Sequence, residues 1–173
     1  PDGTESPYEL NINYLSALHE PGEPDNYAVE RFITAHSILF SLIGMPAIYM
    51  HSILGSINYR EGVKSSGIKR RINREKLRYQ EIIGELNDPD SRRSRVFFTL
   101  RKMLKIRRAE AAFEPSSPQQ ILFLKDEIFA VKRGSPKCWA VISINNVSST
   151  PQHLRLSKDT LGDALYAVDL LSN

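Results

Sequence analysis

Between Val29 and Ile43 the apolar residues return every three or four positions: Val29, Phe32, Ile33, His36, Leu39, Phe40 and Ile43. That spacing is one face of an α-helix, since a strand would alternate. Asp25 and Asn26 stand where a side-chain oxygen can accept the free N–H groups of a first turn. Gly44 and Pro46 end the run. Directly behind this stop comes "MPAIYM", a short and almost wholly apolar stretch. Helix, tight turn and apolar run make the repeating step of α/β proteins, with the run as a strand buried on both faces. One parallel strand makes no sheet, so its neighbours are expected from other parts of a longer chain. The opening "PDGTESPYEL", which carries no Met, is read the same way, as the start of a fragment. His36 falls on the apolar face and is expected to be a core histidine with one ring nitrogen satisfied.

Downstream, residues 51–68 read as a long loop with Gly55, Gly62 and Gly67, and loops of that length are usually functional. "NREKLRYQEIIGEL" suggests a short helix that Asn73 can cap, broken by Asp88-Pro89-Asp90. A further helix is expected over about 92–111, with Phe97, Leu100, Met103 or Leu104, and Ala111 inward; its "SRRSR" start and "KIRR" end read as solvated faces. Composition then changes. "EPSSPQQ" at 114–120 reads as a linker, and after it come five short β signals: "ILFL", "EIFAVKR", "CWAVISIN", "HLRL" and "LYAVDLL". Turn residues such as Gly134-Ser135-Pro136 and Asn145-Asn146 separate them, which suggests a small antiparallel sheet or sandwich with Cys138 and Trp139 packed inside.

Composition narrows the function classes. Apolar residues make up 41 % of the 173, enough for a real core, and the net charge is only +3. A dedicated nucleic-acid binder carries a larger imbalance. The single cysteine rules out an intrachain disulfide and a cysteine zinc site, and it points toward a reducing, cytoplasmic setting. No apolar run reaches transmembrane length, and His19, His36, His51 and His153 show no ligand spacing. Neither metal nor cofactor is expected, and neither membrane nor nucleic acid as a partner.

"GIKRRINREKL", residues 67–77, packs three arginines and two lysines into eleven positions. It can be a nucleic-acid stripe, the solvated start of a helix, or a set of donors aimed at a small polar ligand. The aromatic residues that would stack bases are missing apart from Tyr79. Three segments in order decide between the rest. "GMPAIYM" resembles the eighth barrel strand of the α-amylase superfamily. "YELNINYLSAL" and "RRINREKL" resemble the sucrose phosphorylase branch of that superfamily, which includes phosphorylases of glucosylglycerate-type substrates. The resemblance covers residues 8–111 well and the β segment loosely.

The resemblance implies a fold class of α/β plus all-β. Residues 1–113 would be the C-terminal part of a TIM (β/α)8 barrel, with strand eight near 45–50 and helices near 28–43 and 92–111. Residues 114–173 would be a small antiparallel β-sandwich. Barrel enzymes build their sites on the loops after the strands, which places the 51–68 loop and the arginine stretch at the active face. By the resemblance Arg70 hydrogen-bonds hydroxyls of a glucosyl unit, a task suited to a planar guanidinium. Asn73 can both donate and accept there, with the helix cap as its other reading. Lys69, Arg71 and Arg74 read as surface or ion-pair residues. Tyr8 matches a tyrosine on the acceptor and phosphate loop, and Glu9 takes the place of a glutamine, which directs the acceptor away from fructose and toward a glycerate- or glycerol-like partner. The preceding "ESP" also departs from the branch's Leu-Asp-Ile. Asp2, in a Pro-Asp-Gly context, lies too close to Tyr8 to match the third carboxylate of the superfamily.

A retaining glucosyl transferase needs a nucleophile and an acid/base carboxylate flanking the anomeric carbon. By the resemblance these belong to barrel strands ahead of Pro1, so the fragment alone is expected to be inactive. The whole protein would pass a glucosyl group from an α-glucoside to inorganic phosphate and release glucose 1-phosphate. Two rivals stay open: an α-amylase-type hydrolase, and a non-catalytic carbohydrate-binding β domain.

Overall fold

The computed structural model describes residues 10–134, 140–161 and 166–172. Two compact units emerge, one of residues up to Val29 together with Ile48–Phe97, the other of Glu30–Ala47 together with residues from Phe98 on. Seven α-helices and three strands are assigned among the described residues. The two long helices are α2, Asp25–Ser41, and α6, Arg92–Ala109. Both lie where the apolar period puts them, and Asp25 opens the first turn of α2 instead of preceding it.

In the second unit the end of α2 is closed by arginines. Arg107 donates to the carbonyls of Phe40, Leu42 (3.3 Å) and Gly44 (2.6 Å). Arg133 donates to Ser41 O at 3.0 Å. The last carbonyls of a helix have no partner within it, and cations at that end also oppose the helix dipole favourably. The "KIRR" end of α6 is therefore not simply a solvated face, because Arg107 is spent on this cap. Gly44, with φ +96°, adopts the left-handed turn that only glycine takes cheaply, and its N–H reaches Pro115 O at 3.1 Å.

His36 is buried between Phe32 and Phe40, with ring centroids 4.2 and 5.9 Å away. Its Nδ1 donates to Phe32 O at 2.9 Å, so at least one ring nitrogen is satisfied, as expected of a core histidine. Burial pushes its pKa below the usual 6.5, and the Phe32 bond opposes this in part. Well above 6.5 the ring is neutral folded and unfolded alike. Below it the unfolded chain binds more protons, so stability falls as the pH drops. Urea titrations at about pH 7.5 and about pH 5.5 should show a lower midpoint at the acid value, and His36→Gln should reduce the difference. An unchanged difference in that variant would remove His36 as its source.

Strands β1 (Gln119–Lys125), β2 (Ile128–Arg133) and β3 (Val141–Asn146) form one antiparallel sheet in the order β1-β2-β3. Asp126 and Glu127 turn the first hairpin, and the register runs from Gln119↔Arg133 to Lys125↔Ile128, with an irregularity between Leu122 and Lys125. Central strand β2 is buried on both sides, and Leu122, Ile128 and Ala130 form a core with Leu124, Ile142 and Leu154 against it.

Several sequence expectations change here. Three strands form among the described residues, not five, and they make one sheet rather than a sandwich. Residues 151–157, which include "HLRL", alternate half-buried and exposed but join no ladder. Cys138 and Trp139 lie outside the described residues. The "EPSSPQQ" linker ends inside β1, because Gln119 and Gln120 already pair with β2. Ala112, not Ala111, is the buried member of its pair. "MPAIYM" is no buried strand within this chain: residues 45–49 pair with none of the described strands, Met45 is 85 % exposed and Tyr49 52 %. A strand exists only through its ladder partners, and here it has none.

Candidate functional site

The first unit holds a cleft of about 230 Å³ lined by Ile12, Asn13, Tyr14, Tyr49, Ser52 and Asn73. Three segments meet there, and each is fixed by polar bonds as much as by packing.

The first segment leads into α1, Tyr14–Ala17. Asn13, buried and extended at φ −78° and ψ 140°, donates its N–H to Asn58 Oδ1 at 2.6 Å. Asn58 in turn donates its own N–H to Ser16 Oγ at 2.9 Å. One asparagine thus ties both ends of the short helix to a stretch more than forty residues later.

Next comes α3, Met50–Ile53, so the expected 51–68 loop is partly helical. Gly55 closes it in the left-handed region at φ +60°, and a Cβ on Gly55 would meet Val96 at 3.1 Å. The freed carbonyls are taken by two arginines of α6. Arg92 Nε reaches Gly55 O at 2.8 Å, while Arg93 Nη1 reaches Leu54 O and Ser56 Oγ, each at 3.0 Å. Arg93 Nε lies 2.7 Å from Glu85 Oε2, but without the alignment of a directed hydrogen bond, so this contact is electrostatic. The "SRRSR" face is accordingly not solvated: Arg93 is buried and Arg92 half-buried. His51 Nδ1 sits 3.2 Å from the same Ser56 hydroxyl. Burial lowers the His51 pKa most; Glu75 raises it and Arg93 lowers it further.

Helix α4, Arg60–Ser66, opens the third segment, and Gly67 ends it at φ +68°. Gly62 is required on this helix because a Cβ there would lie 2.1 Å from the Tyr59 ring. A 3-10 turn follows over Lys69–Asn73, and none of its residues is buried. Tyr59 N–H donates to Ile72 O at 2.8 Å, and Tyr49 Oη donates to Asn73 O at 3.1 Å. Asn73 does not cap a helix. It closes this turn, and the following helix α5, Tyr79–Asn87, starts six residues later behind Arg78.

Of the residues singled out from sequence, Asn73 lines the cleft. Arg70 lies exposed on the same turn and outside the cleft lining, and Lys69, Arg71 and Arg74 are exposed as well. Tyr8 and Glu9 fall outside the described residues. Asn13, Tyr14, Tyr49 and Ser52 were not singled out. A hint existed for Tyr49: a tyrosine closing an apolar run is amphipathic, with a phenol that needs a polar partner. Among the described residues the cleft lining offers amides, phenols and a hydroxyl but no carboxylate. Such a set can donate to and accept from a neutral, hydroxyl-rich ligand, whereas proton transfer would need groups from elsewhere. No group of three or more His, Cys, Asp or Glu side chains that could hold a metal occurs among the described residues. No helix among them is long and apolar enough to cross a membrane.

No protein-family model matches the chain. Curated proteins do. The glucosylglycerate phosphorylase of Spirochaeta thermophila is 45 % identical over 149 residues, covering 86 % of this chain and 25 % of that protein. The glucosylglycerate phosphorylase of Escherichia coli is 38 % identical over all 173 residues and 31 % of its own length. That of Allomeiothermus silvanus is 38 % identical over 154 residues, 88 % of this chain and 27 % of its own. The chain therefore resembles proteins named for phosphorolysis of a sugar derivative, and it spans between a quarter and a third of their length.

Proposed function

We propose that this chain is the C-terminal part of a cytoplasmic, retaining α-glucosyl phosphorylase that acts on glucosylglycerate or a closely similar α-glucoside. The observation that carries the proposal is the 45 % identity, over most of the chain, to a protein named glucosylglycerate phosphorylase. Residues 45–50 would take their place as the last barrel strand once neighbouring strands are present, and 114–173 would form the appended β domain. Asn73 would hold hydroxyls of the glucosyl unit at the cleft, whose neutral lining suits a sugar, and Arg70, exposed on the same turn, would reach that unit from outside the lining. Tyr8 and Glu9 would face the acceptor and phosphate.

The reaction breaks the bond between the anomeric carbon and the glycerate oxygen, which leaves with a proton from the acid carboxylate. A second carboxylate holds the glucosyl group covalently until a phosphate oxygen displaces it. Both carboxylates would come from the rest of the protein, and this chain would contribute binding and orientation.

Run in reverse, the complete protein should condense glucose 1-phosphate with glycerate and release phosphate. Glycerol and fructose should be poorer acceptors. Rapid release of free glucose, with no acceptor dependence, would favour an α-amylase-type hydrolase and defeat the proposal.

A further inference from the structure

We infer that Tyr49 is a positioning residue for the sugar-binding turn, acting through Asn73; this rests on the phosphorylase proposal for the ligand's identity. The turn Lys69–Asn73 has no fully buried residue, so side-chain packing holds it only in part. Its end takes bonds from two other segments. One is the backbone bond from Tyr59 N–H to Ile72 O at 2.8 Å. The other is the Tyr49 hydroxyl donating to Asn73 O at 3.1 Å. Together they hold consecutive carbonyls on the two sides of the Asn73 Cα. The direction in which Asn73 leaves the backbone is then set from outside the turn.

The geometry also identifies which of the two bonds is adjustable. The Tyr59 bond needs no side chain, so substitution cannot remove it selectively. The Tyr49 bond is made by a phenol whose ring lines the same cleft as Asn73. The ring of His51, itself buried and outside the cleft lining, lies 5.4 Å from that of Tyr49 in a tilted contact. Tyr49 is therefore both wall and tether. Loss of its hydroxyl keeps the wall and releases the tether.

The test is Tyr49→Phe, alone and with Asn73→Ala, in the complete protein. A neutral hydrogen bond lost at a binding site corresponds to roughly a three- to tenfold change. Tyr49→Phe should raise KM for the α-glucoside by about that factor, with kcat within about twofold and KM for phosphate unchanged. If Tyr49 acts through Asn73, Asn73→Ala should already show the loss, and the double variant should be no worse. Additive losses, an unchanged KM, or equal falls in every parameter with a lower melting temperature would each overturn the inference. Should the wild type turn over the glucoside equally well without phosphate, the phosphorylase proposal fails while the same comparison of KM values still judges Tyr49. No turnover of any α-glucoside would overturn both.

Discussion

Arg133→Ala should destabilise the protein by about 3 kcal/mol, a large loss for truncating one buried side chain in a sheet. Arg133 is fully buried, at 0 % exposure. Its guanidinium serves Ser41 O and Glu114 O at 3.0 Å each, Ser117 O at 3.3 Å and Pro118 O at 3.4 Å. It also lies 5.8 Å from the Phe113 ring, and Arg107 lies 5.3 Å from the same ring. Burial, and then the neighbouring Arg107, lower the Arg133 pKa, so the site strains against holding two cations. What keeps the cation there is the set of carbonyls from two separate stretches, Ser41 and residues 114–118, that converge on it. Truncation leaves those acceptors buried without a donor, and an unmet buried acceptor costs about 1–3 kcal/mol. Arg133→Lys should recover less than half, since one ammonium cannot span the same fork of acceptors. A shift in urea midpoint equivalent to under about 1 kcal/mol for the alanine variant would show that water replaces the guanidinium without difficulty.

Arg70→Ala should lower kcat/KM for the α-glucoside in the complete protein by roughly 10- to 100-fold, the range expected for one charged hydrogen bond. The same variant should melt at nearly the wild-type temperature, because Arg70 is exposed and stands on a turn without buried residues. That pairing of large kinetic loss with small stability loss separates a ligand contact from a structural role. Arg70 is tied to the cleft through its turn: the Tyr49–Asn73 bond holds the end of that turn beside the end of "AIYM". Arg71→Ala and Arg74→Ala, two equally exposed neighbours, should leave kcat/KM within about twofold. Equal losses at all three positions would mean that a general basic field is at work, not one directed donor.

Sequence alone went furthest where one period dominates. Helices α2 and α6 each span four or more turns, so the recurrence of apolar residues outweighs local noise. The β1-β2 hairpin was readable from Val, Ile and Phe on either side of Asp126-Glu127. It failed where a residue's state depends on distant partners. "AIYM" has the composition of a buried strand but no ladder partner among the described residues. Helices α3 and α4 have four and seven residues, too few to show a period, and glycine-rich flanks made them look like loop. Arg93 and Arg107 look solvated in a basic run, yet they are drawn inward by carbonyls at Leu54, Phe40 and Gly44. The cleft was half visible. Asn73 came from the resemblance, but Asn13 and Tyr49 join it only through side-chain to backbone bonds that span 45 and 24 residues, and no local pattern encodes those.

Phosphate dependence is the most direct measurement of the central claim. The complete protein is incubated with α-glucosylglycerate, with and without inorganic phosphate, and glucose 1-phosphate and glucose are both quantified. Turnover that requires phosphate and yields glucose 1-phosphate in the α configuration is the predicted result. Glucose released at the same rate whether or not phosphate is present would contradict it.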